Sequence, residues 1–279
     1  MKNDQRIPGR RMLLRLAAGL GTAGAVRVLA ADPAGTPSRT SGPVVGAAEP
    51  RPASGALPSA YRLRPMTAGA PPRFRPAAPP VRTRPFEKLP EIGRAMVLTF
   101  DDGPDPLHTP HILAALREHD VRAMFFLCGE MAHDHRDLVR AIAADGHTIG
   151  NHTWTHPLVT TLSRAGIHDE MGRTSEVIER ITGVPPLWFR APYGVWNRNS
   201  FEIGAELGME PMAWTVDALD RTEPGVGAIV RRVREAAAPG VVVLSHDGGG
   251  NRSQSVTALR RYLPELLADG YRITVPQRR

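Results

Sequence analysis

The stretch Leu98–Pro110, LTFDDGPDPLHTP, ends an apolar run that starts at Ala95 (AMVLTF) with two adjacent carboxylates, Asp101 and Asp102, and then Gly-Pro. Asp, Gly and Pro are the usual turn residues, so a solvated turn behind a buried strand is one reading. The other is a pair with divided labour. Like charges this close raise each other's pKa where water is excluded, so a buried pair needs something positive beside it. The remainder of the chain decides between them.

Outward from this stretch, residues 93–279 alternate short β-rich runs with helical stretches. Strands are expected at Ala95–Phe100, Ala123–Leu127, Thr148–Gly150, Leu187–Phe189, Met212–Thr215, Val241–Leu244 and Arg272–Val275. Helices are expected at Pro110–His119, Asp137–Asp145, Arg164–Thr182, Arg198–Leu207, Val226–Ala237 and Val256–Asp269, several of them closed by glycine. This alternation implies a parallel sheet. About seven strands fit an irregular (β/α) barrel or a doubly wound open sheet. Ionisable residues follow five of these strands: Asp101 and Asp102, His152 and His156, Arg190, Asp217 and Asp220, and His246 and Asp247. In α/β barrels catalytic groups gather at the C-terminal strand ends, and that coincidence weakens the turn reading.

The N-terminal third has a different texture. Residues 1–31 carry six Lys+Arg against one acid, residues 32–92 nine against four, and residues 93–279 twenty against twenty-three. The net charge of +7 therefore belongs to the N-terminal region, and no nucleic-acid partner is expected. Residues 1–31 read as an export signal of twin-arginine type, with Arg10-Arg11 ahead of Met12-Leu13-Leu14-Arg15 and a short Ala/Gly/Leu stretch. A secreted or cell-envelope protein follows, with membrane contact only if the signal is retained as an anchor. Residues 32–92 hold 14 of the 27 prolines and read as a disordered spacer. The lone cysteine, Cys128, lies in an apolar run and reads as an inert core thiol. His108, His111, His133 and His135 sit in polar contexts and read as surface residues.

His152 and His156 lie in GNHTWTHP. A spacing of four brings both imidazoles to one side of a helical turn, a bidentate metal arrangement. Two histidines and one carboxylate make a zinc-type site with open positions. One of Asp101 and Asp102 would be that carboxylate, and the other a base for water. His246 follows the apolar run VVVLS, and Asp217 or Asp220 would favour its protonated form, making it a general acid. Arg190 would hold the base carboxylate. Gly194 leaves the backbone open after Tyr193, which suits a main-chain oxyanion donor.

The motifs TFDDGP (99–104), HTWTH (152–156), RAPYG (190–194), DALDR (217–221) and VLSHD (243–247), in that order, resemble those of the polysaccharide deacetylases, the NodB-homology carbohydrate esterases. The resemblance covers about residues 93–279, and GGGNRSQ at 248–254 is similar to an extension found in some members. It implies an irregular (β/α) barrel and a divalent metal, most often zinc, with cobalt, nickel or manganese as alternatives. Carried over by position, it implies Asp101 as base and Asp102, His152 and His156 as metal ligands. It implies Arg190 positioning Asp101, the Tyr193 amide in an oxyanion hole, and Asp220 paired with the acid His246. The expected activity is N-deacetylation of a cell-wall or extracellular polysaccharide by a monomer. O-acetyl ester hydrolysis and a non-catalytic glycan-binding module are the alternatives. Where the family's fourth motif commonly ends Asp-Trp, this chain has Asp220-Arg221. A guanidinium there would read an anionic substrate group, or turn to solvent or to Glu223.

Overall fold

The structure is a computed structural model that describes residues 77–89 and 93–276. The expected export signal and most of the expected spacer lie outside the described residues. Among the described residues, eight strands run parallel. In chain order they are β1 (Ala95–Asp101), β2 (Met124–Leu127), β3 (Thr148–Asn151), β4 (Trp188–Phe189), β5 (Glu210–Pro211), β6 (Val216–Asp217), β7 (Val242–His246) and β8 (Arg272–Ile273). The sheet order is β5-β4-β3-β2-β1-β7-β6, with β8 added to the first two residues of β1. The helices between them are α1 (Thr109–Glu118), α2 (Gly129–Asp134), α3 (Arg136–Ala144), α4 (Arg164–Thr182), α5 (Arg198–Glu206), α6 (Val226–Glu235) and α7 (Ser253–Ala268). The sheet curls into the irregular β/α half-barrel, and β1, an interior strand between β2 and β7, is buried at all seven residues.

The period of two along β1 builds two cores. Met96, Leu98 and Phe100 join Phe125, Leu127 and apolar residues of α1, α3, α4, α6 and α7. Val97 faces the other way and packs with Met124, Phe126, Trp188, Met212 and Val242, a cluster without any helix residue. Thr99 and Asp101 share the parity of Val97, so the strand delivers the Asp101 carboxylate to the concave face. The helices are shaped by local chemistry. Ser163 Oγ accepts the Gly166 N–H at the start of α4, and Gly183, at φ 79°, closes it in the left-handed region. Asn197 and Ser200 form a reciprocal capping box on α5.

Two expectations on the fold are corrected. The strand expected at Met212–Thr215 is replaced by the two-residue strands β5 and β6 on either side of it. The Met212 N–H still donates to Phe189 and the Thr215 N–H to Val242, but the carbonyls of Met212 and Ala213 are taken by the Arg190 side chain and the Ala213 N–H by the Phe86 carbonyl, so no continuous ladder forms here. The spacer expected to run to residue 92 gives way earlier. Residues 82–89 form a strap along the domain: Arg82 makes two hydrogen bonds to Glu210, Phe86 bridges Met212 and Lys88 bridges Val241. Proline-rich chain that is already extended presents N–H and C=O groups for such bridging, and Phe86 and Leu89 supply apolar anchors.

Candidate active site

Arg190, immediately after β4, is completely buried and organises the floor of the site. Its NH1 donates to Asp101 Oδ1 at 2.6 Å and to Thr99 Oγ1 at 2.8 Å; Nε and NH2 donate to the Met212 and Ala213 carbonyls at 3.1 and 2.8 Å. The guanidinium also lies 4.1 Å from the Phe126 ring centroid. Burial works against its charge, and the Asp101 carboxylate offsets part of that cost. Asp101 is thereby fixed with Oδ1 on Arg190 and Oδ2 3.6 Å from His152 Nε2.

Asp102 faces the other way and has a left-handed backbone, φ 73°. Its Oδ1 lies 3.4 Å from His152 Nε2 and 3.3 Å from His156 Nε2, and it is buried without a hydrogen-bond partner. Its Oδ2 abuts the backbone of Gly249, where a Cβ would sit 2.6 Å away; with φ +70°, this position favours glycine on both counts. Burial opposes ionisation of Asp102, but the facing imidazoles, when protonated, hold its pKa well below the carboxylate range. His152 Nδ1 is 2.8 Å from the Arg190 carbonyl, which in the neutral ring places the proton on Nδ1 and the Nε2 lone pair toward Asp102. Asp102, His152 and His156 are grouped with their ligand atoms within 4.8 Å of one another. An orphaned buried oxygen faced by two imidazole nitrogens is the donor set a divalent cation satisfies, and two histidines with one carboxylate suit zinc.

The expected helical turn across HTWTH is not formed. His152 follows β3 directly, and the chain then turns through Thr153 at φ 65° and His156 at φ 58°. The imidazoles converge, their centroids 4.9 Å apart, because of this irregular turn. Tyr193, at φ 61°, packs its ring on His156 at 4.7 Å.

Of the two acids that could have served His246, Asp220 is the partner. His246 Nδ1 is 2.7 Å from Asp220 Oδ1, while Asp220 Oδ2 accepts the His246 N–H at 2.8 Å and the Ser255 hydroxyl at 2.6 Å. Burial alone would lower the His246 pKa; the Asp220 carboxylate reverses this and raises it, with Asp101 and Asp102 adding to the effect. Asp217 instead binds Arg221, whose NH1 reaches Asp217 Oδ2 at 2.7 Å. Arg221 therefore pairs within its own loop, with Asp217 rather than Glu223.

Sequence reasoning missed several neighbours. His108 is buried rather than surface: its Nε2 accepts the Arg252 N–H at 3.1 Å and its Nδ1 is 2.8 Å from Asp105. Arg252 in turn donates to the Gly248 and Gly249 carbonyls, fixing the loop behind Asp102. Asp247, fully buried, takes the Thr109 hydroxyl at 2.5 Å, and burial pushes its carboxyl up to about 7. Of these, Arg252 had a signal as a polar residue inside GGGNRSQ at 248–254, and Asp247 as an ionisable residue after a strand; His108 and Ser255 had none. Cys128 is buried as expected, with its thiol pKa raised by burial.

A buried carboxylate–arginine pair, a two-histidine, one-carboxylate cluster that could hold a metal ion, and a buried histidine–aspartate pair thus meet at the C-terminal edge of an α/β sheet, an arrangement compatible with hydrolase chemistry. The polysaccharide deacetylase family model matches residues 88–212. A chitooligosaccharide deacetylase of Rhizobium leguminosarum bv. trifolii is 38% identical over 205 residues, covering 69% of this chain and 95% of the relative. A peptidoglycan-N-acetylglucosamine deacetylase of Bacillus cereus is 37% identical over 193 residues, covering 68% and 90%. The solved family 4 carbohydrate esterase from Streptomyces lividans, in complex with acetate, superposes with a TM-score of 0.62 at 33% identity, covering 66% of this chain and 94% of that one. The chain belongs to the polysaccharide deacetylase family.

Proposed function

We propose that this protein is a hydrolase that removes N-acetyl groups from N-acetylglucosamine-containing polysaccharide, of chitooligosaccharide or peptidoglycan type, releasing acetate. The observation that carries the reading is the divided labour of the two adjacent carboxylates: Asp101 held by Arg190, Asp102 turned to two histidines, with His246 on Asp220 supplying a proton. A cation held by Asp102, His152 and His156, zinc by its donor set, would supply Lewis acidity toward the acetyl carbonyl and the attacking water. Asp101 accepts a proton from that water as its oxygen bonds to the acetyl carbon. Arg190 keeps the carboxylate aimed. The Tyr193 N–H serves as a donor to the developing oxyanion, on a turn whose left-handed backbone is braced by the ring against His156. As the C–N bond breaks, Nε2 of His246 donates its proton to the departing amine, because Nδ1 is committed to Asp220. A non-catalytic glycan-binding module needs neither Asp101 nor His246, and both are in place.

The test is acetate release from N-acetylated chitooligosaccharides, peptidoglycan and O-acetylated xylan, with and without chelator. Chelator-sensitive release from the N-acetylated substrates is expected. Release only from xylan, or release that no chelator affects, would overturn the reading. We also propose export through the leader at 1–31. It is supported by GRRMLLR and by a cell-wall substrate; secretion unchanged after Arg10→Lys and Arg11→Lys together would refute the twin-arginine route.

A further inference from the structure

The turn between the two histidines has a conformation its own sequence does not favour. A β-branched residue such as Thr153 rarely adopts a left-handed backbone, and such positions persist only where the surroundings over-determine them. The surroundings do so residue by residue. Asn151, buried at the end of β3, accepts the Thr153 N–H on Oδ1 at 2.8 Å and is itself held by donating to the Met171 carbonyl and Ser175 hydroxyl. The carbonyls of Thr153 and Trp154 accept N–H groups from Gly129 and Glu130 at the start of α2. The Trp154 ring lies close against Gly129 and under the Arg173 guanidinium at 4.1 Å. The amides of Trp154 and Thr155 both donate to Oε2 of Glu170 on α4, each at 2.8 Å, and the Thr155 hydroxyl donates to Oε1 at 2.9 Å.

We propose that Glu170 is the positioning residue for His156. It receives both amides and the hydroxyl in the two residues preceding that histidine, so it sets where the second imidazole stands relative to Asp102. His152 does not depend on it, since that ring is fixed by the end of β3 and by the Arg190 carbonyl. Glu170 sits outside the cluster it organises and shares no hydrogen bond with Asp101, Arg190 or His246. The inference rests on the reading of Asp102, His152 and His156 as metal ligands.

The test is zinc affinity of the full chain, measured by competition with a chromophoric chelator for wild type, Glu170→Ala and Glu170→Gln. Outer groups that orient ligands typically change metal affinity by about 10- to 100-fold, and a loss of that size is expected for Glu170→Ala. Glu170→Gln keeps most of the affinity, because its amide oxygen still accepts the two N–H groups and its NH2 reaches the Thr155 oxygen. Saturating zinc returns turnover to Glu170→Ala but not to His156→Ala. In metal-free Glu170→Ala, the amides of Trp154 and Thr155 exchange with solvent faster while those of β1 do not. If Glu170→Ala does not fold, Glu170→Asp, one methylene short of the turn, takes its place with the same expectation. Wild-type affinity in the shortened or truncated variant would overturn the proposal, as would a Glu170→Gln loss equal to that of Glu170→Ala, which would assign the effect to charge. Absence of zinc binding in the wild type would instead overturn the underlying metal-site reading.

Discussion

The site holds two histidine–carboxylate assemblies made of the same residue types and built in opposite ways. Around Asp102, two Nε2 atoms stop 3.3 and 3.4 Å from one oxygen, beyond the roughly 2.7–2.9 Å of a charge-assisted hydrogen bond, and that oxygen has no hydrogen-bond partner. Around Asp220, every separation is hydrogen-bond length: imidazole, backbone N–H and serine hydroxyl stand at 2.7, 2.8 and 2.6 Å. The first leaves space for an ion; the second has a proton in each gap. What separates the proposed metal site from the proposed acid is distance and satisfaction of the carboxylate, not composition.

The strongest way to break the comparison is to remove one member from each side of the Asp101–Asp102 pair. His152→Ala should lose bound metal and with it all measurable turnover. Asp101→Asn should retain stoichiometric metal by elemental analysis while kcat falls about 10²- to 10⁴-fold, the span of general-base catalysis. Equal metal loss in both would mean that the two carboxylates have exchanged roles.

A smaller effect, on the proton side, sharpens it. The His246 pKa is raised by Asp220 against the effect of burial, and the proposed mechanism needs the protonated ring, so the rate should be lost as pH rises through the folded value. Charge from Asp101 and Asp102 also contributes, but a bound cation offsets it, leaving Asp220 as the lasting cause. Asp220→Asn should therefore move the basic limb of kcat/KM to lower pH without changing metal content. A basic limb that stays in place would remove the general-acid assignment. The smallest effect is expected at Arg221. Its exposed ion pair with Asp217 is of the kind worth about 0.2–1 kcal/mol, so Arg221→Ala should leave the thermal midpoint and the neutral-to-anionic substrate preference nearly unchanged. A marked fall in activity on anionic glycans alone would return this side chain to the substrate groove.

Much of this was legible in the chain because the motifs sit at strand ends, where a period of two and an abrupt change in polarity fix both position and face. Asp101 follows Val97 and Thr99 in parity; α4 carries its own start and stop in Ser163 and Gly183. What was not legible depends on partners remote in sequence. No local signal at HTWTH indicates that Glu170 will replace a helical turn by an irregular one. Nothing in Met212–Thr215 shows that Arg190 will take two of its carbonyls. His108 reads as polar surface until Arg252, 144 residues away, presents its amide to it.

The strap at 82–89 bears on where the folding unit starts. The two end strands of the curled sheet, β5 and β6, are not paired with each other. The strap runs between their neighbourhoods: Phe86 exchanges backbone hydrogen bonds with Pro211 and Ala213, Thr215 Oγ1 donates to the Glu87 carbonyl, and the Leu89 N–H reaches Gly240. Unpaired strand edges template association with other chains, and proteins cover them for that reason. A chain beginning at residue 93 would retain every residue of the candidate site and yet leave the β5 edge bare, so it should self-associate in a concentration-dependent way where one beginning at residue 77 stays dispersed. On that expectation, the shortest chain that keeps the site and the shortest that stays dispersed differ in length.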